Sequence, residues 1–120
     1  MSVPATVKLA NLVVPTGTNV SNIWKSREIY DDAIFVLLTG ENPTDGVITY
    51  TVEVTDDLEP SAAGTWSTLV DAGADFAPPL QGKAKALPLH ALAATGIRIK
   101  SSANVTADRI FGASKQYFTN

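Results

Sequence analysis

The stretch Val47-Ile48-Thr49-Tyr50-Thr51-Val52-Glu53-Val54 decides how this chain folds. Ile48, Tyr50, Val52 and Val54 alternate with Thr49, Thr51 and Glu53. Side chains on an extended strand point alternately to opposite faces, so the pattern predicts a strand with one buried face and one wet face. An acidic turn follows, Thr55-Asp56-Asp57-Leu58-Glu59-Pro60, and then a second predicted strand, Thr65 to Val70 and on to Asp71. The pair marks the class as all-β.

Working outward, further strand patterns recur at short intervals between turn residues. Thr6 to Val14 closes on Pro15-Thr16-Gly17, Val20 to Trp24 is short, and Ala33 to Thr39 closes on Gly40-Glu41-Asn42-Pro43. On the C-terminal side come Lys83 to Leu89, Gly96 to Ser101 and Asp108 to Ala113, with Gln116 to Phe118 extending the last. Pro88 to Ala94 predicts at most one helical turn. Seven to nine short strands punctuated by Gly, Pro and Asn predict a single-domain antiparallel β-sandwich, jelly-roll-like in style. At 120 residues the chain is one domain long, enough to bury roughly two-thirds of its unfolded surface.

Composition narrows the function classes. Apolar residues make up 45% and charged residues 18%, a folded composition with less charge than the usual quarter or so. A surface so lean in charge is a first sign of a partner. The absence of cysteine excludes disulfides, thiolate zinc sites and cysteine nucleophiles. Met1 to Thr6 has no basic head followed by an apolar run, so synthesis in the cytoplasm without a signal peptide is expected. No apolar run is long enough for a membrane span, and no membrane partner is expected.

The net charge of −3 is unevenly placed. Residues 1–60 hold nine acids against three bases, net −6; residues 61–120 hold three acids against six bases, net +3. The halves either complement each other within one fold or match head to tail between copies, which would steer assembly. Without a clustered basic stripe or interleaved aromatics, nucleic acid is not an expected partner.

One strand breaks the alternation. Ala33-Ile34-Phe35-Val36-Leu37-Leu38 is apolar on both faces, so something must cover the second one. A local loop or the N-terminal segment is one cover. A subunit contact is the other, and it names Ile34, Val36 and Leu38 as candidate contact residues. In the C-terminal half, Ile97 and Ile99 predict an inward face, with Arg98 and Lys100 outward and Arg109 and Lys115 within reach from the next strand. Such bases pair by default with acids in the sheet; alternatively, Arg98 and Lys100 form a basic face that meets an acidic partner.

Catalytic and metal chemistry find little footing. His90 is the only histidine and has no Gly-x-Ser-x-Gly context to join, so a structural role in an apolar surround is expected. Asp56, Asp57 and Glu59, like Asp31 and Asp32, offer oxygen ligands without the spacing of a calcium loop. Acidic turns are common because aspartate suits turns and water. No enzyme, cofactor or metal site is expected. Trp24, beside Lys25, is the candidate for stacking on a sugar, whereas Trp66 is expected in the core or at its rim.

The run from Val47 through the Asp56-Asp57 turn to Gly64-Thr65-Trp66-Ser67-Thr68-Leu69 resembles the layout of small β-sandwich virion proteins of tailed bacteriophages. Gly96 to Val105 and Arg109-Ile110-Phe111 look similar to their final strand pair. The resemblance implies a non-enzymatic structural protein located in the virion. Its most direct form is a capsid cement or decoration protein, a dimer or trimer bound to the major capsid protein or other virion proteins. A small tail component is the nearby alternative, and a carbohydrate-binding module is the distant one.

Overall fold

The computed structural model describes residues 3–25, 35–44 and 46–119. Nine strands run through them: β1 (Val3–Val14), β2 (Phe35–Gly40), β3 (Tyr50–Thr55), β4 (Ser67–Thr68), β5 (Val70–Asp71), β6 (Ala74–Asp75), β7 (Ala84–Ala86), β8 (Gly96–Ser101) and β9 (Arg109–Thr119). One sheet has the order β1-β9-β2-β7, the other β4-β3-β8, and β5 and β6 form a separate hairpin. All the strand pairings are antiparallel. The segment 20–24 completes the second sheet beside β8, through bridges Val20–Lys100 and Trp24–Ile97.

That wiring is a jelly roll. Leaving the β5–β6 hairpin aside as an insertion, the eight strands pair first with last and inward from there: β1 with β9, 20–24 with β8, β2 with β7, and β3 with β4. A long hairpin rolled up on itself gives this order, with the two sheets packed face to face. The radius of gyration, 14.2 Å, is close to the roughly 13.6 Å expected of a 120-residue domain.

Alternation supplies the filling. Leu12 and Val14 from β1, Val36 and Leu38 from β2, Val52 from β3, Ile97 and Ile99 from β8, and Phe111 from β9 lose all contact with solvent between the sheets. Tyr50 and Phe111 meet edge to face across the layers, ring centres 5.4 Å apart, a favoured aromatic geometry. Ser21 closes a gap in the second sheet: its Oγ accepts the Ile99 N–H at 2.8 Å where a strand carbonyl would otherwise stand.

Several boundaries differ from the sequence expectation. Val47 is 99% exposed and precedes the strand, which begins at Tyr50. The predicted strand through Thr65–Asp71 splits at Leu69, which turns into the core while its N–H bonds the Val52 carbonyl. The β5–β6 hairpin is new; its two turn residues, Ala72 and Gly73, have φ of 52° and 83°, as a type I′ turn requires. Pro88–Ala94 holds a short 3-10 helical turn at Leu89–Ala93.

Both edges of the larger sheet are blunted. β7 is three residues long. β1 has a register shift between Lys8 and Ala10, and Asn22 caps its outer edge by accepting the Val13 N–H at 2.8 Å and donating to the Asn11 carbonyl at 3.1 Å. Bulges and capped edges discourage sheet-to-sheet pairing with other chains.

Candidate interaction surface

The wiring gathers loops at the two ends of the sandwich, and these loops hold most of the outward-facing chemistry. At one end, where β3 begins, loops 15–19 and 102–108 are laced together. Gly17 donates to the Val105 carbonyl, Val105 to that of Thr18, and both the N–H and the hydroxyl of Thr16 donate to Asp108 Oδ1 at 2.8 Å. Those two donors hold the Asp108 carboxyl below its ordinary pKa. Asn42 extends the lacing, donating to the Asp108 carbonyl and accepting the Ile110 N–H.

Beside this rim lies a shallow apolar groove of about 570 Å³. Pro43, Ala77, Pro78 and Leu80 line it, with Lys83 and Lys85 on its border and, among the described residues, no acid in its lining. Its floor depends on Gly40. A Cβ there would sit 2.3 Å from the Leu80 carbonyl oxygen, so only glycine lets the Pro79–Gln81 segment lie against β2. Lys85 stiffens the wall by donating to the Ala77 carbonyl at 3.2 Å with its ammonium 4.5 Å from the Phe76 ring centre.

At the opposite end, the loop after β3 carries Asp56, Asp57, Leu58 and Glu59. Asp57 fastens it from within, its Oδ2 accepting the Thr65 N–H at 2.9 Å. Thr95 adds bonds from its hydroxyl to the carbonyls of Thr55 and Asp57. Leu58 is left 84% exposed at the tip, between the exposed Asp56 and Glu59.

The residues singled out in the sequence are distributed differently from expectation. Val36 and Leu38 are 0% exposed in the single chain. They lie on the face of β2 that meets the other sheet, so they are core residues and not subunit contacts. The opposite face of β2 presents the half-buried Leu37 and Thr39. Ile34, like Asp31 and Asp32, lies outside the described residues. Trp24, at 8% exposure, is also corrected: its bridge to Ile97 turns the indole into the core, away from any sugar.

Arg98 and Lys100 do share the outer face of β8, but only Lys100 is exposed. Arg98 is opposite Glu53 and bonds it at 2.8 Å, and its guanidinium lies 4.1 Å from the Trp66 ring centre. It is therefore tied into the fold by its own sheet, the pairing that a base opposite an acid makes by default. Arg109 and Lys115 lie on β9 in the other sheet and do not extend this face. His90 is exposed, with Nε2 2.9 Å from the Val70 carbonyl oxygen, and not in an apolar surround.

Of the two features that matter here, the sequence pointed to the acidic turn without its Leu58 tip, and it passed over the groove. Pro43 and the 77–85 segment meet only because β2 and β7 pair. The local signal was the run Ala77-Pro78-Pro79-Leu80, apolar yet unable to form a central strand. No family model matches this chain, and no curated protein and no solved structure matches it either.

Proposed function

We propose that the chain is a non-enzymatic structural protein of a tailed phage particle, a capsid cement that bridges neighbouring capsid subunits. The observation that carries this reading is where the chemistry of the described residues goes. Several carboxylates, amides and hydroxyls at the loop ends hold loops to one another: Asp108 to Thr16, Asn42 to Asp108 and Ile110, Asp57 to Thr65, Thr95 to Thr55. Meanwhile Val47 and Leu58 stand in solvent at loop tips at the two ends of the sandwich. A laced frame with apolar tips suits an adhesive joint.

The jelly roll agrees with the resemblance to virion proteins, since capsid domains are among its common uses, although a fold alone names no function. Each contact of such a protein is weak, and symmetry multiplies it: copies on a regular lattice bind by avidity. Mass spectrometry of purified particles, with antibody labelling in the electron microscope, tests the assignment. The chain should be present on heads in a number that tracks the capsid subunits. Labelling confined to tails would make it a small tail component, and absence from particles would overturn the proposal.

A further inference from the structure

We propose that the apolar groove beside β7 receives the acidic turn of a second copy of this chain, so that molecules associate head to tail. Leu58 of one copy would seat against the exposed Ala77 and half-buried Leu80 of the next, over the buried Pro43 and Pro78, with Asp56 and Glu59 facing Lys83 and Lys85. The inference deepens the structural-protein reading and draws its biological sense from it.

Three observations support the match. First, each surface has what the other lacks. Among the described residues the groove is largely apolar, bordered by two lysines and without an acid in its lining, and the turn has one exposed leucine flanked by two exposed acids. Second, the ion pairs Lys8–Glu41 and Arg98–Glu53 involve none of Asp56, Glu59, Lys83 and Lys85, and Lys85, although it donates to the Ala77 carbonyl, keeps its charge at the groove border. Third, a chain cannot satisfy itself. The turn follows Thr55, while Ala77, Pro78 and Leu80 adjoin Ile48 and Tyr50 at the start of β3. Six strand residues separate the two by roughly 20 Å.

Both sides are held in shape before they meet, which limits the entropy lost on association. Asp57 and Thr95 fasten the turn, and Gly40 and Lys85 set the groove. Because the two surfaces differ, the contact is heterologous: repetition gives a ring if the rotation closes and an open chain otherwise. One leucine in one groove is far smaller than a standard stable interface. The free protein should therefore associate weakly, and tightly only where a lattice holds many copies together.

The test uses the full chain in two ways. Sedimentation of the wild type should show reversible growth in mass between about 10 μM and about 1 mM, weakening with added salt. Leu58→Asp, at an exposed tip, and Ala77→Glu, at an exposed groove position, should each remain folded by circular dichroism. Each should reduce self-association by about tenfold or more, as removing a buried leucine or burying an acid requires. Mixing the two variants is decisive. Leu58→Asp keeps an intact groove and Ala77→Glu an intact turn, so together they should form a one-to-one complex that grows no further. A monomeric wild type at about 1 mM, or a mixture that stays monomeric while the wild type associates, would overturn the proposal. No virus particle enters this assay, so its failure leaves particle binding to the separate test above.

Discussion

Arg98 Nε donates a 2.8 Å hydrogen bond to Oε1 of Glu53, its opposite neighbour across β8 and β3. The two side chains are only 12% and 10% exposed, although both belong to the outer face of their sheet. Trp66, from beside β4, closes over the guanidinium and donates its indole N–H to the Ser61 carbonyl at 2.9 Å. The expected wet face of β3 therefore holds a covered ion pair at its centre. Planar stacking and a directed N–H bond suit arginine and not lysine.

Removing one member of this pair leaves the other charged, nearly dry and alone. Glu53→Ala should cost about 3 kcal/mol, read by urea denaturation, and Arg98→Lys should lose much of the same stability. Replacing both, as Glu53→Leu with Arg98→Met, should recover most of the loss, because the penalty comes from the stranded charge. A double variant no more stable than Glu53→Ala would contradict this account.

Val36 and Leu38 give a clean test of which face of β2 is inside. Val36→Asp buries an unpaired carboxylate between the sheets, a change that costs several kcal/mol. The variant should fail to give a cooperative unfolding transition, whatever its partners. A soluble, folded Val36→Asp protein with altered assembly would instead place this residue at a subunit surface.

The turn of the β5–β6 hairpin carries a correctable strain. Ala72 adopts φ of 52°, a left-handed conformation that costs an alanine about 1–2 kcal/mol. Ala72→Asn should raise stability by about 0.5–1 kcal/mol, since asparagine tolerates the geometry and favours type I′ turns. Thermal unfolding of the two proteins compares them directly.

Asp108 should give a pH signature. Its folded pKa is depressed by the two Thr16 donors, so its contribution is present above the ordinary aspartate range and is lost as pH falls through the lower folded value. Asp108→Asn should therefore be less stable than the wild type near pH 7, with the gap narrowing below about pH 4. A gap that does not change with pH would assign the loss to geometry alone.

The strands were legible where one face met the core and the other met water. Gly96–Ser101 matches its predicted bounds because Ile97 and Ile99 alternate with Arg98 and Lys100. The covered Glu53 was not legible, because its lid, Trp66, comes from the loop before β4 and reaches it through Arg98. β2 misled for a related reason: a run apolar on both faces cannot say which face is core. The β5–β6 turn uses Ala-Gly in place of the usual Asn-Gly or Asp-Gly signal. The groove joins residues more than thirty positions apart in the chain, beyond the reach of any local pattern.

The most direct test of the cement assignment is a stability measurement on particles. Heads assembled without this protein should rupture at a lower temperature than complete heads, and adding the purified chain should restore the difference, saturating at a fixed number of copies per capsid subunit. Heads that neither bind the added chain nor change their rupture temperature would contradict the assignment.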